Sequence, residues 1–391
     1  MARPSARRLL SLSLVSCAVL AAAPAGALAA SANAPAAGDQ SLRQVWPAGA
    51  DGAWAWTQDL DGGPQGVART VNGGKTWPKV TPPGLAEQVT SKVITGFFAL
   101  GTQDAWVTYG GIDNADTQHI TATTDGGRHW TVVGQEPLTT VSYSGYTYDC
   151  GLDFVTASVG WCQAEPAFVG SEGVALYRTT DGGRHWQRIS TTGPSGNKAG
   201  SLPWECDKNI QFSSTSTGWA SFACPKVAPL YETTNGGRTW IKRKVTAPPG
   251  GPVDSGSGFT GQPLVSGRRG AVGYTISGRP LKSLVYVSTD SGTGWRPVTP
   301  PGQPEGWVVD AITPASWRLV DGDHILATGN AGKTWRTITS NVTFDIYYAF
   351  DDPTPPVVDF ATSQVGWIAS TSLWRTTSGG KTWRRMAVPG T

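Results

Sequence analysis

Seven short segments of one pattern recur along this chain, and each of them ends in tryptophan. Each segment, called a box here, carries Asp, Asn or Ser near its start and glycine in its middle. The boxes end at Trp77, Trp130, Trp186, Trp240, Trp295, Trp335 and Trp383, which lie 53, 56, 54, 55, 40 and 48 residues apart. A repeat of about fifty residues, long enough for four short strands, is typical of a β-propeller.

Two further aromatic positions divide each repeat into strands. One tryptophan precedes most boxes, as Trp54, Trp106, Trp161, Trp219, Trp317 and Trp367, whereas repeat five has Gly270-Ala271 in its place. Another aromatic residue lies just before the box, as Tyr177, Tyr231, Tyr286 and Trp374. With 50 glycines and 28 prolines for turns, each unit predicts strand, tight turn, strand, variable loop, strand, box turn, strand. The predicted fold is all-β, a seven-bladed β-propeller with four-stranded antiparallel blades over residues 41–391.

The chemistry of the boxes predicts a structural role for them. An Asp or Asn side chain accepts hydrogen bonds from the amides of its own turn, and glycine supplies the positive φ that a tight turn needs. Three of the seven boxes have Asn at this position and one has Ser, so a catalytic or ligating carboxylate is disfavoured. The basic residues of the boxes are predicted to be solvated; they are Lys75, Arg128, Arg184, Arg238, Lys333 and Lys381.

The N-terminus has the order of a secretory signal peptide. Arg3, Arg7 and Arg8 are followed by an apolar stretch from Leu9 to Ala23 and by Ala27-Leu28-Ala29, which has the small residues of a cleavage site. We predict a signal peptide over 1–29, a flexible linker over 30–40, and a secreted or extracytoplasmic protein. Lipoprotein processing at Cys17 is the minor alternative. The apolar run is too short to predict a membrane span.

Removing the leader changes the charge of the chain. The 31 Lys+Arg and 28 Asp+Glu of the whole chain become 28 of each, because the leader holds three arginines and no acid. A neutral mature chain gives no support for a nucleic-acid partner. We expect a monomer, with neither cofactor nor metal site.

Four cysteines remain after the leader, and an even number in an exported chain predicts two disulfides. Three pairings are open for Cys150, Cys162, Cys206 and Cys224. Cys206 and Cys224 fall opposite each other across one predicted hairpin, so this pair is favoured and the pair Cys150–Cys162 follows by default.

The boxes resemble the Asp-box (BNR) pattern, Ser/Thr-x-Asp-x-Gly-x-Thr-Trp, over nearly all of the mature chain. With the run Tyr-Arg-Thr-Thr-Asp-Gly-Gly at 177–183, the chain is similar to bacterial propellers of the photosystem II assembly factor-like and sialidase-like superfamily. That resemblance implies a box turn between the third and fourth strands, on the face opposite the ligand site. It does not imply one activity, since such repeats occur in sialidases, xyloglucanases, polysaccharide lyases and sortilin-type receptors.

The candidate ligand residues are therefore those that the repeat does not explain, in the other loops. Aromatic rings there are suitable platforms for a sugar or a peptide, and a carboxyl pair could serve a glycosidase. They are Tyr143, Tyr146, Tyr148, Trp204, Glu205, Trp307, Tyr347, Tyr348, Asp351 and Asp352. Trp46 and Trp56, also outside the pattern, are expected to pack where the ring closes.

Two functions remain open at this point. The first is a binding or scaffold protein that recognises a protein or a glycan on this loop face. The second is a carbohydrate-active enzyme, a glycoside hydrolase or a polysaccharide lyase. Because no catalytic signature stands out, the catalytic residues stay unassigned and the non-enzymatic function is favoured.

Overall fold

A computed structural model describes the propeller part of the chain. The described residues are 40–59, 65–83, 85, 92–111, 119–135, 150–164, 174–192, 199–203, 206–226, 228–250, 253–276, 282–302, 308–344, 357–369 and 372–387. These segments contain strands and turns and no helix, and so none that is apolar and long enough to span a membrane.

The strands group into seven consecutive blades. Blade 1 contains β1 (Gln40–Pro47), β2 (Ala53–Asp59) and β3 (Gln65–Thr70), and blade 2 contains β4 (Lys92–Leu100), β5 (Asp104–Gly111), β6 (His119–Thr123) and β7 (Thr131–Gln135). Blade 3 contains β8 (Cys150–Phe154), β9 (Gly160–Ala164), β10 (Ala175–Thr179) and β11 (Gln187–Thr191), and blade 4 contains β12 (Asp207–Phe212), β13 (Gly218–Lys226), β14 (Leu230–Thr233) and β15 (Ile241–Lys242), followed by β16 (Lys244–Val245). Blade 5 contains β17 (Val253–Ser266), β18 (Arg269–Ile276), β19 (Lys282–Ser288) and β20 (Gly294–Val298), and blade 6 contains β21 (Val308–Thr313), β22 (Ser316–Asp321), β23 (His324–Thr328) and β24 (Arg336–Thr339). Blade 7 contains β25 (Val357–Phe360), β26 (Gly366–Ala369), β27 (Leu373–Thr376) and β28 (Trp383–Arg385).

Strands within a blade pair antiparallel in chain order, which confirms the predicted seven-bladed propeller. The first strands of neighbouring blades contact one another, as β4 contacts β8 and β21 contacts β25. First strands are therefore innermost and fourth strands form the perimeter. Every box turn follows the third strand of its blade, as predicted. It leads to the fourth strand, or in blade 1 to the single bridge that takes the place of that strand.

Blade 1 departs from the predicted four strands. In place of a fourth strand it has one bridge, between Ala68 and Lys79. Hydrogen bonds run from Arg69 N to Pro78 O and from Val80 N to Val67 O. Pro78 directly follows the box tryptophan and has no N–H to donate to a ladder. The prolines at 78, 82 and 83 therefore reduce this edge to a single bridge.

Blades 4 and 5 are joined through their backbones, which the repeat pattern does not predict. The long strand β13 pairs with β12 and β14, and its C-terminal half also pairs with β17 of blade 5. On the perimeter, β16 leaves blade 4 and pairs in parallel with β20. The Tyr286 hydroxyl donates to Thr246 O at 2.8 Å beside this pair. The two blades thus share one nine-stranded sheet.

The core lies between blades and is built from the second-strand tryptophans. Trp106 of blade 2 stacks on Phe154 of blade 3 at 3.8 Å, and its Nε1 donates to Gly182 O in the next box at 3.0 Å. In repeat five, Ala271 occupies the tryptophan position, and a Cβ at its neighbour Gly270 would lie 2.7 Å from the Trp295 ring. The Trp295 ring fills the space there, so that repeat has glycine and alanine at these two positions.

Within the described residues, the ring closes by packing of blade 7 against blade 1, and no strand is exchanged between them. The ring centroids of Trp77 and Trp367 lie 6.3 Å apart. Arg375 donates to Ala50 O at 2.9 Å and to Asp51 Oδ1 at 2.8 Å. Trp46 instead lies 4.5 Å from Phe97, between blades 1 and 2, and Trp56 packs against the same cluster. The expectation that these two tryptophans close the ring is wrong, because the position next to blade 7 is filled by the second-strand and box tryptophans.

Candidate functional site

The polar side chains of the box turns are used inside the turns themselves. In box three, Thr179 Oγ1 accepts from Gly183 N at 3.0 Å and donates to Asp181 Oδ1 at 2.8 Å. Asp181 Oδ1 also accepts from His185 N at 3.0 Å. Equivalent side-chain bonds hold the other six turns, at Asn72, Asp125, Asn235, Asp290, Asn330 and Ser378. The predicted structural role of the boxes is confirmed.

The carboxylates of these turns are held in the ionised form. Hydrogen bonds from the backbone amide and the ring of His129 keep the pKa of Asp125 well below its ordinary value. For Asp181, burial acts in the opposite direction, yet the bonds from His185 and Thr179 lower its pKa to about 2. The amide of Gly294 and the hydroxyl of Ser288 lower the pKa of Asp290. Groups that stay ionised and bonded in this way stabilise the turns at neutral pH.

A pH dependence of stability follows from these three boxes. A carboxylate with a lowered pKa in the folded state stabilises the protein above its unfolded-state pKa, and this contribution is lost as the pH falls through the folded-state value. Replacing Asp125, Asp181 and Asp290 together with Asn should therefore flatten the fall in unfolding midpoint between about pH 4 and pH 2. Thermal unfolding followed by circular dichroism across that window measures it. Asn is already present at three other boxes, so the turns tolerate the change, and an unaltered acid profile would contradict this role of the carboxylates.

The connections leave the blades at two opposite faces. The turns between first and second strands and the box turns lie on one face, called the box face. The loops between second and third strands and the connections between blades leave from the other, called the loop face. Loops on a rigid scaffold are the usual place for recognition, and the box face is already committed to its own turns.

The candidate ligand residues all belong to loop-face connections and lie outside the described residues. They are Tyr143, Tyr146, Tyr148, Trp204, Glu205, Trp307, Tyr347, Tyr348, Asp351 and Asp352. The structure therefore neither brings them together nor separates them.

The chain next to two of these connections is firmly held. Leu202 is buried in the cluster between blades 3 and 4, and Gly200 O accepts from Trp240 N at 2.7 Å. Phe344 lies 5.1 Å from the Trp383 ring and is buried in the cluster between blades 6 and 7. The segments that contain Trp204 and Tyr347 therefore start from fixed points on the scaffold.

Buried carboxylates on the innermost strands form a feature that sequence reasoning missed. Asp153 of β8 accepts from Phe212 N of β12 at 2.6 Å, and Asp310 of β21 accepts from Phe360 N of β25 at 2.8 Å. Both side chains are more than nine-tenths buried. Each carboxylate binds a backbone amide of the next blade, so it joins neighbouring blades beside the channel.

Gln163 and Lys208 form a second buried polar link, between blades 3 and 4. Gln163 Nε2 donates to Lys208 O at 2.8 Å, and its Oε1 accepts from Ile210 N at 3.0 Å. The Lys208 ammonium donates to Cys206 O at 2.7 Å and lies 5.2 Å from the Phe222 ring. These contacts give the side chains of this link a scaffold role.

Comparisons with known proteins agree with the propeller fold. No protein-family model and no curated protein matches the chain. Among solved structures, a prolyl endopeptidase is 9% identical, with 90% of this chain and 50% of that chain covered and a TM-score of 0.57. An ancestral GH74 enzyme is 16% identical, with 89% and 46% covered and a TM-score of 0.51. A structure described as YCF48 bound to D1 peptide is 19% identical, with 77% and 84% covered and a TM-score of 0.45.

These likenesses concern the fold alone. Identities below one fifth show a shared propeller architecture and carry no activity to this chain. The chain also spans only about half the length of the prolyl endopeptidase and of the GH74 enzyme.

Proposed function

We propose that the chain is a secreted, Asp-box type propeller that binds a protein or a glycan on its loop face and performs no catalysis. The observation that carries the proposal is the commitment of the buried carboxylates beside the channel. Asp153 Oδ2 and Asp310 Oδ2 accept backbone amides of the next blade at 2.6 and 2.8 Å, so one oxygen of each carboxylate serves the scaffold. A glycosidase needs two carboxyls placed for the substrate, and these two are placed for neighbouring blades.

The shape of the scaffold supports the same proposal. The box turns are closed by their own hydrogen bonds, whereas the loop-face connections begin at anchored residues such as Leu202 and Phe344. A rigid ring with non-repeating aromatic loops on one face suits recognition, because flat rings bind at a small entropy cost.

A panel of polysaccharides and cell-envelope proteins tests this function, by measuring whether each member retains the purified protein and whether the protein converts it. Trp204→Ala and Trp307→Ala should each weaken retention by about tenfold, the usual cost of removing an aromatic anchor. Val132→Ala is the matched control, because Val132 is 58% exposed on the outer strand of blade 2 and should leave retention unchanged. Unfolding midpoints of all three variants show that the fold is intact.

Two outcomes would overturn the proposal. Release of reducing ends from a glycan would favour the carbohydrate-active enzyme, and Glu205, Asp351 and Asp352 would then be tested as its carboxyls. Retention that is equally insensitive to Trp204→Ala, Trp307→Ala and Val132→Ala would show that the loop face is not the binding surface.

A further inference from the structure

Seven exposed basic side chains lie on three adjacent blades, 6, 7 and 1, on both sides of the ring closure. Each lies inside a box or within two residues after its tryptophan, where the box face meets the perimeter. We call this set the cationic sector; its members are Lys75, Lys79, Lys333, Arg336, Lys381, Arg384 and Arg385. By the same rule blades 2 to 5 carry six exposed basic residues, so the sector differs from the rest of the ring in its acidic residues rather than in its number of basic ones.

Acidic groups that could neutralise the cationic sector are scarce. Within the described parts of these three blades, the only carboxylate on the box face is Asp51, and it is bonded to Arg375 at 2.8 Å. The boxes of the sector carry neutral side chains, Asn72, Asn330 and Ser378, where boxes two, three and five carry aspartate. Each sector box therefore has a net positive charge.

The basic residues of the other boxes are engaged in a different way. Arg128, Arg184 and Arg238 donate to the carbonyl oxygens of Asp125, Asp181 and Asn235 in their own turns, at 3.0 to 3.2 Å. Within the described hydrogen bonds, the ammonium groups of Lys75, Lys333 and Lys381 make none to the protein. The turn geometry thus accounts for the arginines of blades 2 to 4 and leaves the three lysines for another ligand.

We propose that the cationic sector binds a linear polyanion, a chain with repeating phosphate or carboxylate groups, across blades 6, 7 and 1. A flexible chain can follow basic residues that continue from the box face onto the perimeter. A membrane surface fits less well, because it meets one plane and is usually held by exposed aromatic or aliphatic groups as well. Of the large hydrophobic residues that are exposed in the described part of the chain, only Val71 lies in this sector.

The repeat supplies a matched test. The variant Lys75→Glu/Lys333→Glu/Lys381→Glu changes three box residues inside the sector, and Arg128→Glu/Arg184→Glu/Arg238→Glu changes the equivalent residues outside it. Both shift the net charge of the protein by the same amount. Long-chain inorganic polyphosphate is the phosphate probe and polygalacturonate the carboxylate probe, with binding of the full mature chain measured by calorimetry at several salt concentrations.

The sector variant should bind about 100-fold more weakly at low salt, since a basic residue near an anionic surface contributes roughly a factor of five. The slope of log Kd against log salt should fall by about two to three for the three lost contacts. The control variant should change affinity by less than about threefold. Equal losses in both variants, or no binding of wild type to either probe, would overturn the proposal. Binding to phosphatidylglycerol vesicles without binding to either polymer would overturn it in favour of a membrane surface.

Discussion

Replacing Trp161 with Ala is expected to lower the free energy of unfolding by about 3 to 5 kcal/mol, the usual cost of removing a buried tryptophan. The ring is 1% exposed and stacks on Phe212 of the next blade with centroids 3.6 Å apart. Its Nε1 donates to Gly236 O of the next box at 3.0 Å. One side chain thus supplies apolar contact and a buried hydrogen bond to blade 4.

Trp161→Phe is the graded control for this prediction. It keeps an aromatic ring beside Phe212 but removes the donor to Gly236 O, so a smaller loss, of about 1 to 3 kcal/mol, is expected. Urea denaturation followed by tryptophan fluorescence and by circular dichroism gives both values. A loss in Trp161→Ala no larger than that in Trp161→Phe would show that ring packing does not join these blades.

The role of the second-strand tryptophans was only partly predictable. The repeat shows that Trp161 has equivalents in most units, and burial follows from their size. The sequence does not show that the Trp106, Trp161 and Trp367 rings pack against the following blade, since that contact arises between units, nor that Trp317 packs with blade 5 instead. The Arg178 guanidinium lies 5.5 Å from the Trp161 ring within the same blade, because the two residues are directly opposite each other on β10 and β9.

Departures from the repeat were predictable only where one residue causes them. Pro78 explains the single bridge that replaces a fourth strand in blade 1, and a reading of its missing N–H could have found it. The pairing of β13 with β17 and of β16 with β20 has no such local signal, because it joins strands of two different repeats. Long-range pairing of this kind depends on register between distant segments.

For the candidate site, the sequence was informative by exclusion. It assigned the box residues to the turns, and the hydrogen bonds of Thr179 and Asp181 agree with that assignment. It could not assign a ligand, because the loop-face residues such as Trp204 and Tyr347 follow no period. The inner carboxylates Asp153 and Asp310 were missed, since an aspartate in a strand is recognised as structural only when its partner amide in the next blade is known.

Loss of the disulfide predicted between Cys206 and Cys224 is the second change for which we expect a large fall in the free energy of unfolding. Cys162 and Cys206 are each disulfide-bonded, and they lie in different clusters. Cys162 packs with Phe98 and Trp106 between blades 2 and 3, whereas Cys206 packs against the cluster between blades 3 and 4. Because those clusters lie on opposite faces of blade 3, a bond between Cys162 and Cys206 is excluded.

Strand register favours one of the two remaining pairings. Asp207 is paired with Ala223, so one further antiparallel step sets position 206 opposite position 224. In blade 3, Cys150 is paired with Ala164 and Leu152 with Cys162, so the two cysteine positions are two residues apart on neighbouring strands. Both predicted bonds therefore join adjacent strands of one blade. The directly opposite positions 206 and 224 have the separation that a disulfide requires, whereas the diagonal pair Cys150–Cys162 requires a local backbone shift.

Peptide mapping of the unreduced protein distinguishes the pairings. Trypsin should release residues 199–208 linked to residues 209–226, together with an internal bridge in residues 129–178, which contain no Lys or Arg between the two cysteines. A link from residues 129–178 to either of the other peptides would contradict the prediction.

The double variant Cys206→Ser/Cys224→Ser should lose about 3 kcal/mol of unfolding free energy, because its bond closes a loop of about twenty residues. Cys150→Ser/Cys162→Ser closes a shorter loop and should lose a few tenths of a kcal/mol less. Each bond begins where an aromatic connection re-enters a strand, at Trp204-Glu205 before Cys206 and at Tyr143–Tyr148 before Cys150. Reduction should therefore weaken ligand retention as well as stability, and retention that survives reduction unchanged would separate the disulfides from the proposed binding face.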